Sequence, residues 1–276
     1  MTGDSGAETG GDPSGPRWAR AVTRRLTRRA RDVARLLAAT QSTTIGSGTD
    51  VVIVPGLAVS RYLKPPQWRI ATFARAHLVE LPGVGDAPNA GGALTLHHDA
   101  ATLTAWLRTH IDGAYVLVGH SYGTQVVLRA AAASDERLRA VVLASPTVDP
   151  AYRTMHRLLG RWLISDRREP RELHRSQLPD ARHADLRRVT AMLVSMLTDA
   201  PEHWASRIAA PLTVVMGERD LLARPAWGRQ LTRRPGGMFV AVAGGTHSFP
   251  FTRPDDLAHA VHATIERTDG RDSTRP

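Results

Sequence analysis

Ser121 stands where an activated nucleophile would stand. It lies in Gly119-His120-Ser121-Tyr122-Gly123, directly after the apolar run Tyr115-Val116-Leu117-Val118 and before an alanine-rich stretch, Thr124 to Ala133, of helical composition. At such a strand-turn-helix corner the hydroxyl is presented on a sharp turn, and the flanking glycines let strand and helix approach closely. A serine hydroxyl attacks poorly unless a histidine takes its proton and a carboxylate orients that histidine. Both partners follow downstream. The run Leu212-Thr213-Val214-Val215-Met216 ends in Gly217-Glu218-Arg219-Asp220, and the run Met238-Phe239-Val240-Ala241-Val242 leads through Gly244-Gly245-Thr246 to His247. Histidine suits the proton transfer because its unperturbed pKa lies near neutrality. Asp220 is expected to orient the imidazole, with Glu218 facing away and Asp149 as the competing acid.

Taken together, Ser121, Asp220 and His247, in that order and each on a loop after a strand, resemble the α/β-hydrolase-fold serine hydrolases over about residues 45 to 268. The resemblance implies an α/β fold: a mostly parallel central sheet flanked by helices, with a helical cap insertion. It implies an oxyanion hole built from the backbone N–H groups of Tyr122 and Leu57. The early loop reads Val54-Pro55-Gly56-Leu57, where relatives usually carry His-Gly in place of Pro-Gly. Leu81-Pro82-Gly83-Val84-Gly85-Asp86 matches the loop after the next strand, whose glycines shape the pocket wall; no lysine-serine or lysine-threonine pair follows to make it a phosphate loop. The implied reaction is hydrolysis of a carboxylic ester or thioester in a small-molecule acyl substrate, free or carrier-bound, with no metal or organic cofactor. Carbon–carbon bond hydrolases, lyases or cyclases and perhydrolases use similar residues, and a non-catalytic small-molecule receptor can retain the triad. Serine at the elbow argues against dehalogenases and epoxide hydrolases, whose nucleophile is aspartate.

The elements that must position these residues follow the same order. Asp50 to Val54, Ala76 to Leu81, Tyr115 to Gly119 and Leu138 to Ala144 read as buried strands, joined later by the runs before Asp220 and His247. Continuous Val/Leu/Ile runs suit parallel strands covered on both faces. Between Asp149 and about Ile208 the strands stop, and Met155-Leu158-Leu159-Trp162-Leu163 and Met192-Leu193-Met196-Leu197 give helical periodicity. The expected organisation is a disordered tail at 1–16, a basic amphipathic helix at 17–40, a core of 41–149 with 209–270, a cap at 150–208 and a tail at 271–276. Met155, Trp162, Met192, Met196 and Phe249 are expected pocket-lining residues, with packing of cap on core as the competing reading. Arg153, Arg157 and Arg161 share a helical face and read as solvated, with a substrate carboxylate or carrier phosphate as the rival ligand.

Composition bounds the rest. The formal charge is +10, yet lysine occurs once, at Lys64, so the basic balance is an arginine bias. Arg17 to Arg35 holds eight arginines against one acid, Asp32. With Trp18, Val22, Leu26, Val33 and Leu37 spaced near three to four, this segment reads as an amphipathic helix that docks on the main domain; a membrane surface or partner subunit is the alternative. No nucleic acid partner is expected. No uncharged apolar run approaches the ~18 residues that cross a bilayer, and no apolar secretory stretch opens the chain, so a cytoplasmic enzyme is expected. Zero cysteines exclude disulfides and thiolate-bound zinc. His97-His98-Asp99 is not expected to bind metal, because neighbouring residues on a helix diverge by about 100°.

Overall fold

The computed structural model describes residues 17–91, 94–134 and 136–272; the tail expected at 1–16 and residues 273–276 lie outside them. In chain order the elements are α1 (Arg17–Ala38), β1 (Gln41–Ile45), β2 (Asp50–Val54), α2 (Lys64–Ile70), β3 (Arg75–Glu80), α3 (Leu96–His110), β4 (Tyr115–His120), α4 (Tyr122–Ala131), β5 (Leu138–Ala144), α5 (Met155–Asp166), α6 (Arg171–His183), α7 (Leu186–Thr198), α8 (Pro201–Ala205), β6 (Leu212–Gly217), α9 (Pro225–Leu231), β7 (Gly237–Val242), α10 (Phe249–Thr252) and α11 (Pro254–Asp272). The strands form one seven-stranded sheet in the order β1-β3-β2-β4-β5-β6-β7. Only β1 is antiparallel to its neighbour.

The buried strands alternate their side chains between two apolar layers, as the two-residue repeat of a strand dictates. From β2, Val52 and Val54 enter a layer with Leu103, Trp106, Val126 and Val127 of α3 and α4. Val51 and Ile53 enter the opposite layer with Ile70 of α2 and Leu257 and Val261 of α11. Helices on both faces explain why these strands read as continuous apolar runs. Strand β1 is different: Gln41-Ser42-Thr43-Thr44 are all exposed, and it pairs on the sheet's edge with β3.

Helix α1 is held at its C-terminal end, where Leu36 is buried and Leu37 packs against the core. Val22 remains half exposed, so the apolar stripe docks through one end; the side chains of Trp18 and Leu26 lie outside the described residues. No helix among the described residues is long and apolar enough to cross a membrane. Helix α11 continues to Asp272, past the expected start of the terminal tail at 271.

Candidate active site

In a mainly parallel sheet, the C-terminal ends of the strands carry the ligand-facing loops. Ser121 follows β4, Asp220 follows β6 and His247 follows β7, so all three lie at that edge. Ser121 adopts φ 53°, ψ −122°, a positive φ that costs about 1–3 kcal/mol in a non-glycine residue. The bend needs its glycines. A Cβ at Gly123 would strike the carbonyl oxygens of Val54 and Pro55, and one at Gly119 would strike the backbone of Gly123 and Thr124. Gly217 has the same role beneath Asp220, lying against the carbonyls of Gly245 and Thr246 and thereby drawing the loops of Asp220 and His247 together.

The three side chains form a continuous chain of hydrogen bonds. Ser121 Oγ is 3.0 Å from His247 Nε2, and His247 Nδ1 is 3.0 Å from Asp220 Oδ2 and 3.2 Å from Oδ1. Asp220 Oδ1 also accepts the N–H groups of Leu222 at 2.8 Å and Ala223 at 3.2 Å. Burial alone would raise the Asp220 pKa, but the charge and hydrogen bond of His247, with those two amides, hold it below the ordinary carboxylate value. For His247, burial lowers the pKa; the charge and hydrogen bond of Asp220, aided by Glu169, outweigh it and leave a net rise. With Nδ1–H donated to a permanent carboxylate, Nε2 is left to accept the Ser121 proton. Asp149 is elsewhere engaged: its carboxylate forms a two-point pair with Arg224 at 2.6 and 2.9 Å and accepts the Ala151 N–H. Glu218 is exposed and accepts from the Gly244 N–H.

As the first residue of α4, Tyr122 has an N–H with no intrahelical acceptor. The 54–57 loop comes up against the elbow so closely that a Cβ on Gly56 would lie 3.3 Å from Ser121 Cβ. The Gly56 N–H is already used, donating to Tyr62 Oη at 2.8 Å. Tyr62 in turn meets His120 Nδ1 at 2.6 Å, and His120 Nε2 meets the His247 carbonyl at 3.0 Å. Burial first, and repulsion from His247 second, push the His120 pKa down to about 3. A neutral His120 must donate from Nε2 to that carbonyl, so Nδ1 accepts from the Tyr62 hydroxyl. One chain thus ties the early loop, the elbow and the His247 loop together. His120 was visible beside Ser121 in the sequence; Tyr62 carried no such signal.

The Tyr122 side chain is anchored as well. Its hydroxyl donates to Asp99 Oδ2 at 2.6 Å, and Asp99 Oδ1 accepts from Arg188 of α7 at 2.7 Å. Asp99 and Arg188 are both buried. His97-His98-Asp99 therefore supplies a buried ion pair, and no cluster suited to a metal occurs among the described residues.

The residues read as pocket lining separate into two groups. Met155 is 43% and Trp162 49% exposed, because α5 buries Leu158 and Ser165 and turns its 155/159/162/163 stripe outward. Met155 and Trp162, expected to line a pocket, thus stand on the solvent-facing stripe of α5; helical periodicity identified the apolar stripe but not which edge of it packs. Met192 and Met196 are buried with Tyr122, Val148, Leu158 and Leu222 on one side of the sheet. Phe249 is buried with Tyr62, Leu173 and Leu257 on the other. These three side chains are buried among apolar neighbours from several elements. Arg153 pairs with Glu202, while Arg157 and Arg161 donate to the carbonyls of Ala151 and Leu221, which leaves structural work as their observed role.

Residues 51–260 match the model of the Alpha/beta hydrolase family. The chain belongs to that family. Among solved structures, it resembles a bromoperoxidase from Bacillus anthracis, with TM-score 0.72 and 15% identity over 82% of this chain and 95% of that one. An esterase from Exiguobacterium antarcticum gives TM-score 0.71 and 13% identity over 82% and 95%. A thermophilic esterase from Thermogutta terrifontis gives 0.59 and 20% over 83% and 93%. At such identities the likeness concerns the fold. No curated protein matches the sequence.

Proposed function

We propose that the protein is a serine hydrolase that cleaves a carboxylic ester or thioester of a small-molecule acyl substrate, free or carrier-bound, through an acyl-enzyme. The observation that carries this reading is the 3.0 Å approach of His247 Nε2 to Ser121 Oγ, with Asp220 on the opposite ring nitrogen. Ser121 Oγ bonds to the carbonyl carbon as its proton passes to His247 Nε2. The N–H groups of Leu57 and Tyr122 stabilise the resulting oxyanion. His247 returns the proton to the departing alcohol or thiol as the carbon–oxygen or carbon–sulfur bond breaks. Water then repeats the sequence: its proton goes to His247, its oxygen bonds to the acyl carbon, and Ser121 leaves reprotonated. Asp220 stays ionised, fixes the tautomer and stabilises the imidazolium. Helices α5 to α8, between β5 and β6, serve as the cap over this edge of the sheet. The reading requires neither metal nor organic cofactor.

A panel of p-nitrophenyl esters and acyl thioesters tests the reaction class. Turnover with a burst of leaving group supports the acyl-enzyme. Tight binding of acyl compounds with no turnover identifies a receptor instead, and turnover confined to carbon–carbon or peracid chemistry identifies a carbon–carbon bond hydrolase, lyase or cyclase, or a perhydrolase.

A further inference from the structure

Glu169 belongs to neither the strand-end loops nor the elbow. It lies in the link between α5 and α6, immediately before Pro170, whose ring biases the preceding residue toward an extended backbone. From there its carboxylate reaches the loop after β7 and grips both sides of one residue. Oε2 accepts from Thr246 Oγ1 at 2.9 Å, and Oε1 accepts from the Ser248 N–H at 3.3 Å. The residue between them is His247.

We infer that Glu169 is a positioning residue that holds the His247 loop from the α5–α6 side and supplies a second negative charge to the imidazolium formed during turnover. This rests on the reading of His247 as the proton carrier. A residue required only for packing would not need to be ionised, whereas a carboxylate accepting two hydrogen bonds beside a cation-forming ring stabilises that cation through space. Burial is the strongest influence on Glu169 and leaves its pKa raised above the ordinary carboxylate value, although the Thr246 and Ser248 hydrogen bonds and His247 oppose it. Other charged groups on the elements around His247 are paired, neutral or exposed, Arg219 and Arg168 among the exposed ones. Asp220 makes the direct contact, with Arg224 of the same loop paired to Asp149. His120 lies 5.2 Å away, ring to ring, and is neutral. Glu218 and Arg253 flank the loop and are exposed.

The test is a titration of the His247 ring by proton NMR, its signal assigned by absence from His247→Asn, in the unmodified protein and in Glu169→Gln. Glutamine keeps the side-chain shape and an acceptor oxygen but removes the charge. The expected result is a fall of roughly half a pH unit or more in the His247 pKa, matched by the same displacement of the acid limb of kcat/KM. Thr246→Val, which removes one hydrogen bond and keeps the charge, is expected to move the pKa by less than Glu169→Gln does. An unchanged His247 pKa in Glu169→Gln, or a larger fall in Thr246→Val, overturns the inference. The ring titration needs no turnover. Failure of the serine-hydrolase reading is scored separately, by lack of fluorophosphonate labelling at Ser121.

Discussion

His120 and His247 are both buried in the same few ångströms of protein, and their surroundings push them in opposite directions. For His120 the folded pKa of about 3 lies below the ordinary value of 6.5. The unfolded chain therefore takes up a proton on this residue as pH falls below 6.5, while the folded protein refuses it. Stability falls through the window from 6.5 to about 3, by about 1.4 kcal/mol for each pH unit from this residue alone. His247 has the opposite sign. Its folded pKa is raised, so its stabilising contribution is complete below 6.5 and is lost as pH rises through the folded value. Denaturant unfolding across pH 4–6 should show a shallower dependence in His120→Gln than in the unmodified protein, and an equal slope would contradict the assignment. In the proposed mechanism attack requires neutral His247, so the acid limb of kcat/KM is expected above 6.5, measured with an activated ester. Tyr62→Phe removes the hydroxyl that joins Gly56 to His120. It is expected to cost about 1–3 kcal/mol in denaturant unfolding and to lower kcat/KM by loosening the loop that carries Leu57.

At the scale of elements, the site depends on a bend that tolerates no side chain and on helices fastened by buried charge. Gly123→Ala would drive a methyl into the Val54 and Pro55 carbonyls, so the variant is expected to lose several kcal/mol or fail to fold. Helices α6 and α7 are clasped to the core at three places. Asp180 accepts the backbone N–H groups of Ser60 and Arg61, Arg188 pairs with Asp99, and Asp199 after α7 pairs with Arg129 of α4. Asp99→Ala leaves the Arg188 guanidinium buried without its carboxylate and is expected to cost about 3–5 kcal/mol in equilibrium unfolding. Much of this organisation was legible in the sequence. The parallel strands announced themselves as Val/Leu/Ile runs because both of their faces are covered, and the three strand-end residues came with glycines that only tight turns require. What was not legible has physical reasons. Strand β1 is exposed and polar along most of its length, so neither a run nor an alternation marks it. Tyr62, Asp99 and Glu169 act through partners 58, 23 and 77 residues away, separations that no local pattern encodes. The outward turn of Met155 and Trp162 was hidden because the apolar stripe of α5 is wider than the edge it buries.

At the scale of the whole molecule, several charged side chains and the candidate site both depend on long-range pairing. The net +10 is an excess of arginine over acid, and the arginines paired with buried carboxylates, Arg75 with Asp50, Arg129 with Asp199, Arg188 with Asp99 and Arg224 with Asp149, are neutralised by them and add nothing to it. The planar guanidinium suits such contacts with carboxylates, so these four arginines are structural. Ser121 and His247 are 126 residues apart and meet only when β4 through β7 are assembled in register. Folding and site formation are thus one event. The most direct test of the central claim is single-turnover release of product from an activated ester by purified Ser121→Ala, with circular dichroism to verify the fold and fluorophosphonate labelling to map the nucleophile. The account predicts labelling at Ser121 in the unmodified protein, and in the folded variant both loss of that labelling and loss of nearly all turnover. A folded Ser121→Ala protein that releases product at the unmodified rate would contradict it.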